Sequence, residues 1–243
     1  MNVMIGPRTL RYGDHDSQFV EVWDPPDRPR GSTLLVHGGY WRDRYALDLM
    51  DPIARHLADR GWQVLNIEYR RLGNHDGIWD EMSADVLAAA GLARPGPVVA
   101  IGHSAGGHLA LWAASQPLAL DAVVALAPVA DLVEADRRDL SDGVVRRLLG
   151  GDSETLPARY RAASPTFLVP LGVPQLVIHG DADDDVPPDL STSYASVARA
   201  AGDTIELVTP AGVDHFEVID PSHEIWRTID DRIDRWAETL DNR

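Results

Sequence analysis

Residues 98–114 read VVAIGHSAGGHLALWAA, and they are predicted to form a strand, a tight turn and a helix in direct succession. A serine on such a turn adopts a strained backbone, and the glycines two residues to either side of Ser104, Gly102 and Gly106, avoid collisions with its neighbours. The turn projects the hydroxyl beyond the sheet edge and aims the first N–H groups of the helix at a developing oxyanion. The stretch therefore predicts a nucleophilic serine, although a glycine-rich connection without chemical function has the same pattern.

The rest of the chain alternates short apolar segments with longer amphipathic ones, as expected for a mostly parallel sheet covered by helices. The predicted strands are Phe19–Trp23, Thr33–Val36, Gln63–Ile67, Val98–Ile101, Ala122–Leu126, Gln175–Ile178 and Ile205–Val208. The predicted helices are Tyr45–Asp59, Trp79–Ala93, Ala105–Ser115, Asp189–Ala200 and Glu224–Leu240. Residues 131–172 break the alternation, and we expect them to form an insertion over the carboxyl edge of the sheet. Because about 40 residues rarely hold a core of their own, residues 1–243 are predicted to form a single α/β domain.

A second glycine-rich loop follows the second predicted strand, and residues 37–41 of it read HGGYW. Glycines at this place allow main-chain N–H groups to approach a substrate carbonyl oxygen closely. We expect an oxyanion hole formed by Gly38, Gly39 and Tyr40 on this loop and by Ala105, which follows the serine.

An acid and a base are expected further along the chain. Residues 181–185 read DADDD directly after a predicted strand, and composition alone does not choose between Asp183, Asp184 and Asp185 as the acid. A calcium site is the competing interpretation, but the central Gly and later Glu of an EF-hand loop are missing. His215 precedes the C-terminal helix, where it could take the serine proton while a carboxylate fixes its tautomer. The chain order Ser, Asp, His is that of the α/β-hydrolase fold.

Four other histidines near these motifs have structural explanations. His103 and His108 lie beside a turn and a helix that are predicted to be buried, where a hydrogen-bonded structural role is common. His37 and His179 end predicted strands, and we expect them to bond to the loop backbone.

The composition excludes several other classes of protein. A formal charge of −16 leaves no basic surface for nucleic-acid phosphates or for an anionic membrane. Without cysteine there are no disulfides and no thiol catalysis, and the histidines lack metal-ligand spacing, so we expect no metal and no cofactor. No apolar run reaches the roughly 20 residues of a spanning helix, and the N-terminus lacks a signal-peptide pattern. We therefore expect a cytoplasmic protein without a membrane or nucleic-acid partner.

The HGGYW loop and the segment GHSAGGHL at residues 102–109 together resemble the kynurenine formamidase (arylformamidase) branch of the α/β-hydrolases. That branch is close to the hormone-sensitive-lipase-like esterases, which carry HGGG at the same loop. Here Tyr40 and Trp41 replace the third glycine, which favours the formamidase-like branch. The family pattern H-G-x-x-D-x-x-V-P fits residues 179–187 with Asp183 at the position of the triad acid.

The resemblance implies a cofactor-free serine hydrolase that works through an acyl-enzyme, with Ser104, Asp183 and His215 as its catalytic residues. Its expected substrate is a small ester or acyl amide, with the formyl amide of N-formylkynurenine as the first candidate. Tyr40 and Trp41 are the expected substrate contacts, because an aromatic ring can stack on an aryl group.

Three alternatives stay open at this point. A small-substrate carboxylesterase would use the same residues. Peptidases of the prolyl-oligopeptidase class share the catalytic order, but no part of the chain resembles their propeller domain. A non-catalytic binding protein of the same fold would have no chemical need for Ser104, Asp183 and His215 together. The oligomeric state is also open, and a homodimer is compatible with the sequence.

Overall fold

A mostly parallel, eight-stranded sheet runs through the computed structural model, which describes residues 6–73 and 75–240. The strands are β1 Arg8–Arg11, β2 Phe19–Trp23, β3 Ser32–Val36, β4 Gln63–Ile67, β5 Val98–His103, β6 Ala122–Leu126, β7 Gln175–Ile178 and β8 Ile205–Val208. Their spatial order is β1-β2-β4-β3-β5-β6-β7-β8. Strand β2 pairs antiparallel with β1 and β4, and all other pairs are parallel. The predicted α/β fold class is confirmed.

Helices cover both faces of this sheet. They are α1 Asp51–Asp59, α2 Trp79–Ala90, α3 Ala105–Ala114, α4 Leu132–Arg137, α5 Leu140–Leu149, α6 Pro157–Ala163, α7 Asp189–Ala200 and α8 Ile225–Leu240. Short 3₁₀ turns occupy Leu47–Met50, Pro165–Phe167 and Glu217–Ile219. Across the described residues, no helix combines the length and apolar character needed to cross a bilayer.

The central strands are buried on both faces because their successive side chains enter two different cores. In β3, Leu34 and Val36 belong to the core beneath α2, α3 and α7, whereas Leu35 belongs to the core beneath α1 and α8. This arrangement explains why these strands are apolar on consecutive residues. It also leaves the carboxyl ends of the parallel strands as the edge where loops of different origin can meet.

The structure differs from the predicted elements most clearly in two places, and elsewhere their ends shift by up to three residues, as where α2 ends at Ala90 and not at Ala93. The edge strand β1 was not predicted, because all four of its residues are exposed and show no burial pattern. The predicted helix Tyr45–Asp59 is regular only from Asp51, after the 3₁₀ turn Leu47–Met50. Pro52 lies in the first turn of α1, where its missing N–H and fixed φ are tolerated, and this favours a helix start at that point.

Residues 131–172, which we expected as an insertion, contain α4, α5 and α6. Asp131 caps α4 by accepting a hydrogen bond from the N–H of Glu134 at 3.0 Å. Within α5, Ser141, Asp142 and Gly143 have left-handed backbone angles. Such a turn is unfavourable for residues other than glycine, and it lies beside the candidate site described below.

Helix α3 crosses β3 at very short range. A Cβ atom built on Gly106 would lie 2.1 Å from the carbonyl oxygen of Val36, so only glycine fits at this contact. The close crossing places the first turn of α3, and Ser104 before it, directly beside the loop that follows β3.

Replacing Gly106 with Ala is expected to lower the free energy of unfolding by about 2 kcal/mol, the net of about 3 kcal/mol of overpacking and about 1 kcal/mol of helix propensity. The overpacking against Val36 outweighs the gain of about 1 kcal/mol in helix propensity. Urea denaturation measures the change, and Gly6→Ala is the matched control because nothing lies within 4 Å of its Cβ. A Gly106→Ala variant as stable as the wild type would contradict the close contact.

Candidate active site

Ser104 occupies a strained turn between β5 and α3. Its φ of 54° and ψ of −118° lie outside the regions that most side chains adopt, which typically costs about 1–3 kcal/mol. The surrounding backbone holds this conformation, because the N–H of Ser104 donates to the carbonyl of Leu126 at 2.8 Å and its own carbonyl accepts from the N–H of His108 at 3.0 Å. The serine is therefore fixed at the carboxyl edge of the sheet, as its motif predicts.

Asp183 and His215 meet at the same edge, on the loops that follow β7 and β8. The Nδ1 of His215 lies 2.6 Å from Oδ2 of Asp183, and the other carboxylate oxygen accepts the N–H groups of Asp185 and Val186. Asp183 is 7% exposed, whereas Asp184 and Asp185 are exposed to solvent. Of these three aspartates, Asp183 is thus the one in contact with the histidine.

A second histidine supports the Asp183 carboxylate. Nε2 of His179 lies 3.1 Å from Oδ2 of Asp183 and 2.9 Å from the carbonyl of Val186, so it carries the proton. Burial alone would raise the pKa of Asp183, but hydrogen bonds from His179 and His215 hold that pKa well below its usual range. The carboxylate is therefore ionised at neutral pH. The contact of His179 with the backbone was expected, but its contact with Asp183 was not.

The loop that carries His215 is tied to its neighbours on two sides. Nε2–H of His103 donates to the carbonyl oxygen of His215 at 2.9 Å. On the other side, the N–H of Gly212 donates to the carboxylate of Asp181 at 2.6 Å. The histidine is thus anchored both to the turn that carries Ser104 and to the loop that carries Asp183.

The HGGYW loop lies against the serine. A Cβ atom built on Gly38 would be 3.0 Å from the Cβ of Ser104. Gly39 has a φ of 109°, and the two aromatic residues after it also have positive φ. Within residues 6–73 and 75–240, no intramolecular hydrogen bond uses the main-chain N–H of Gly39, Tyr40 or Ala105. These donors remain available to a ligand oxygen.

A buried glutamate that the motifs do not identify supports this loop from behind. Glu68 follows β4 and contacts Nε2 of His37 at 3.2 Å and the guanidinium of Arg71 at 3.1 Å. Burial would raise the pKa of Glu68, but His37 and Arg71 together keep it below its usual range. Tyr69 stacks on His37 and donates its hydroxyl hydrogen to the His37 carbonyl at 2.8 Å. A charged residue directly after an apolar strand was the signal that could have found Glu68.

A cavity of about 90 Å³ opens between these loops. Ser104, His215, Gly39 and Tyr40 line it together with Phe216. The rest of its wall is formed by Arg44, Tyr45, Leu49, His103, Ser141 and Asp185. A larger open depression of about 520 Å³ lies elsewhere and includes neither the serine nor this histidine in its lining.

The two aromatic residues of the HGGYW loop have different positions. Tyr40 lines the cavity and donates its hydroxyl hydrogen to the carbonyl of Asp185 at 2.5 Å. Trp41 has no exposed surface and packs edge-on against His108 with ring centroids 5.3 Å apart. The structure therefore does not bring Trp41 to the cavity, because its ring fills the core beneath the loop. Phe216, whose position directly after His215 was the available signal, presents an aromatic ring there instead.

Residues 58–242 match the prolyl oligopeptidase family. The chain belongs to this family. The matched range includes Ser104, Asp183 and His215 but begins after the HGGYW loop. Among curated proteins, esterase LipC of Mycobacterium tuberculosis is 29% identical over 223 residues, which cover 79% of this chain and 55% of that protein. Esterase LipQ of the same organism is 28% identical over 216 residues, covering 76% of this chain and 50% of that protein. The chain thus spans about half the length of these relatives.

Solved structures with the same fold include esterases from unrelated sources. A phosphonate-inhibited esterase B from Lactobacillus rhamnosis has a TM-score of 0.80 at 20% identity, covering 97% of this chain and 85% of that chain. A truncated carbohydrate esterase from gut microbiota has a TM-score of 0.80 at 19% identity, covering 96% of this chain and 100% of that chain. At these identities the likeness establishes the α/β-hydrolase fold, as predicted.

His103 and His108 are buried without charge. Burial lowers the pKa of His108 to about 4, although its Nε2–H donates to the carbonyl of Ala163 at 2.8 Å. Burial, reinforced by the nearby His215, lowers the pKa of His103 to about 3. An unfolded histidine binds a proton below a pH of about 6.5, so the folded protein loses stability as the pH falls from there towards 4.

We expect His108→Gln to weaken this pH dependence. The amide keeps a donor near Ala163 but cannot titrate, so the loss in free energy of unfolding between pH 7 and pH 5 should be smaller than in the wild type by about 2 kcal/mol. Urea denaturation of both proteins at the two pH values measures the difference. Equal losses in the two proteins would show that the buried neutral histidine is not a source of the acid sensitivity.

Proposed function

We propose that this protein is a serine carboxylesterase that hydrolyses small esters through an acyl-enzyme. The observation that carries the proposal is the contact of 2.6 Å between the Asp183 carboxylate and His215, at the edge where Ser104 stands on its strained turn. Main-chain N–H groups beside the serine make no intramolecular hydrogen bond, so they are free to stabilise a negatively charged carbonyl oxygen. Curated relatives named as esterases support ester hydrolysis in particular.

In the proposed reaction, the Ser104 hydroxyl attacks the ester carbonyl while Nε2 of His215 takes its proton. The negative charge that develops on the carbonyl oxygen is stabilised by the N–H groups of Gly39, Tyr40 and Ala105. The protonated histidine then gives its proton to the departing alcohol. His215 next takes a proton from a water molecule that attacks the acyl-enzyme carbonyl. It returns this proton to the Ser104 oxygen as the acyl–serine bond breaks, which releases the acid and restores the serine.

Asp183 has a defined part in this scheme. Its ionised carboxylate accepts the Nδ1–H of His215, which leaves Nε2 as the proton acceptor and stabilises the imidazolium. His179 and two main-chain N–H groups hold the carboxylate in place, so its orientation does not depend on His215 alone.

The cavity favours substrates with a short acyl chain. Its volume is only about 90 Å³. Tyr40, Leu49 and Phe216 give it a partly apolar wall. A structural relative, an esterase from Thermogutta terrifontis with a TM-score of 0.70, was solved with propionate bound, which is in keeping with a short acyl group.

Hydrolysis of a formyl amide is the second candidate. The ring of Phe216 lies edge-on to His215 with centroids 5.3 Å apart and is 47% exposed, so it offers a surface for an aryl group. The burial of Trp41 removes the other aromatic contact that we expected, and the ester-hydrolase names of the relatives favour the first candidate.

A first prediction concerns the proposed nucleophile, Ser104, and the proposed triad carboxylate, Asp183. A fluorophosphonate probe is expected to label the wild type but not Ser104→Ala. We expect Asp183→Asn to reduce kcat/KM for 4-nitrophenyl acetate by about 10²–10⁴, because the amide no longer favours the productive histidine tautomer. Asp184→Asn is the matched control and should stay within a few-fold of the wild type. Loss of activity in the control, or an unlabelled but folded wild type, would contradict these assignments.

A second prediction concerns the substrate. We expect 4-nitrophenyl acetate and butyrate to be hydrolysed with a higher kcat/KM than either 4-nitrophenyl octanoate or N-formylkynurenine, because the cavity is small and the relatives act on esters. Steady-state kinetics with the four compounds decide the order. If N-formylkynurenine is the best of them, the protein is an arylformamidase.

A further inference from the structure

Arg44 carries a positive charge at the mouth of the cavity that contains Ser104. Its guanidinium lies over the ring of Tyr45, 4.8 Å from the ring centroid, and both residues line the cavity. Nearby arginines are engaged, since Arg42 donates to the carbonyl of Ser141 and Arg71 pairs with Glu68. In the described part of the chain, Arg44 has neither an ion pair nor a hydrogen bond.

The position of this guanidinium is constrained by the loop beside the serine. A Cβ atom built on Gly39 would lie 2.5 Å from the Tyr45 ring, so the ring packs directly on the HGGYW loop. The carbonyl of Tyr45 accepts a hydrogen bond from Arg71, which is itself tied to Glu68. Because the Arg44 guanidinium stacks on this fixed Tyr45 ring, its side chain has less freedom while its charge stays exposed to solvent. The restriction lowers the entropic cost of binding a ligand.

Arg44 gives this cavity a positive charge in a protein whose formal charge is −16. A second charge, Asp185, lines the same cavity on the side of Tyr40. Burial, reinforced by this carboxylate, raises the pKa of the tyrosine hydroxyl. Arg44 and Asp185 do not pair with each other. An anionic group entering the cavity would be repelled beside Asp185 and attracted beside Arg44, so only one orientation is favoured.

We propose that Arg44 recognises a carboxylate on the substrate, so that the preferred esters carry an anionic group besides the scissile bond. A guanidinium binds a carboxylate through two parallel hydrogen bonds, and Arg44 has its donors free for this purpose. The proposal rests on the proposed esterase function. The hydrolysis itself is unchanged: water adds across the ester C–O bond, and the recognised carboxylate takes no part in the chemistry.

Two pairs of esters test the proposal and locate the anion. In the first pair, mono-4-nitrophenyl succinate replaces the terminal methyl of 4-nitrophenyl butyrate with a carboxylate on the acyl side. In the second, 4-acetoxybenzoate adds a carboxylate to the leaving group of phenyl acetate. The quantity to measure is the ratio of kcat/KM for the anionic ester to kcat/KM for the neutral ester. The two esters differ in chemical reactivity, but this difference is the same for every variant and cancels when the ratios of two variants are compared.

We expect Arg44→Gln to lower this ratio by about tenfold for at least one pair, and Arg44→Lys to lower it less. Arg199→Gln is the matched control: it removes the same charge from an exposed arginine at the end of α7 and should leave both ratios unchanged. In the wild type, raising the salt concentration should also reduce the affected ratio. The pair that responds identifies the side of the ester on which the carboxylate lies.

The outcomes separate this inference from the proposed function. If the wild type hydrolyses the neutral esters and reacts with the fluorophosphonate probe, but Arg44→Gln leaves both ratios unchanged, the recognition role is wrong and the esterase assignment stands. An equal fall in Arg199→Gln would assign the effect to overall charge and would also overturn the role of Arg44. A folded wild type that hydrolyses no ester and is not labelled would overturn the esterase function itself.

Discussion

The contact between Gly106 and the carbonyl of Val36 is the constraint on which the candidate site depends. It allows α3 to start within van der Waals distance of the end of β3, which brings two loops of different function together. One loop carries Ser104 and the first free N–H group of the helix, and the other carries the donors of the HGGYW segment. Any larger residue at position 106 would move the helix away from the strand, and Ser104 would be separated from the N–H groups that we propose as oxyanion donors. The strain at Ser104 is thus supported by packing at a different residue.

A single ionised carboxylate organises the other half of the site. Asp183 is buried, and its charge is compensated by hydrogen bonds from His179, from His215 and from two main-chain N–H groups. Because so many donors converge on it, removing one of them leaves the others to hold the carboxylate in place. His103 completes the arrangement from the serine side by fixing the carbonyl of His215. Since burial lowers the pKa of His103 to about 3, this histidine is neutral near pH 7.

The fold could be predicted largely from the sequence because buried parallel strands and amphipathic helices have strong patterns. The serine and the base follow from local motifs, and the acid follows from a family pattern that the contact with His215 matches. What escaped prediction depends on three-dimensional packing. The exposed strand β1 has no pattern of its own, and Trp41 is adjacent in sequence to Tyr40 yet is turned into the core. Glu68 and Arg44 are ordinary charged residues in the sequence, and only their surroundings distinguish them.

The surroundings of Arg44 also show how the site is built from segments that are distant in the chain. The rim beside this arginine comes from the loop after β3, from the left-handed turn at Ser141 and from the segment that includes Asp185. Arg42 joins the first two of these through its bond to the Ser141 carbonyl. The proposed catalytic groups lie where strands of the sheet end: Ser104 stands between β5 and α3, and Asp183 and His215 lie on the loops after β7 and β8. Arg44 itself makes no hydrogen bond to the proposed catalytic residues, so its substitution can alter which ester binds while it leaves them in place. Other positions on the rim are coupled to these residues, since the N–H of Asp185 donates to Asp183 and the ring of Tyr45 packs on Gly39.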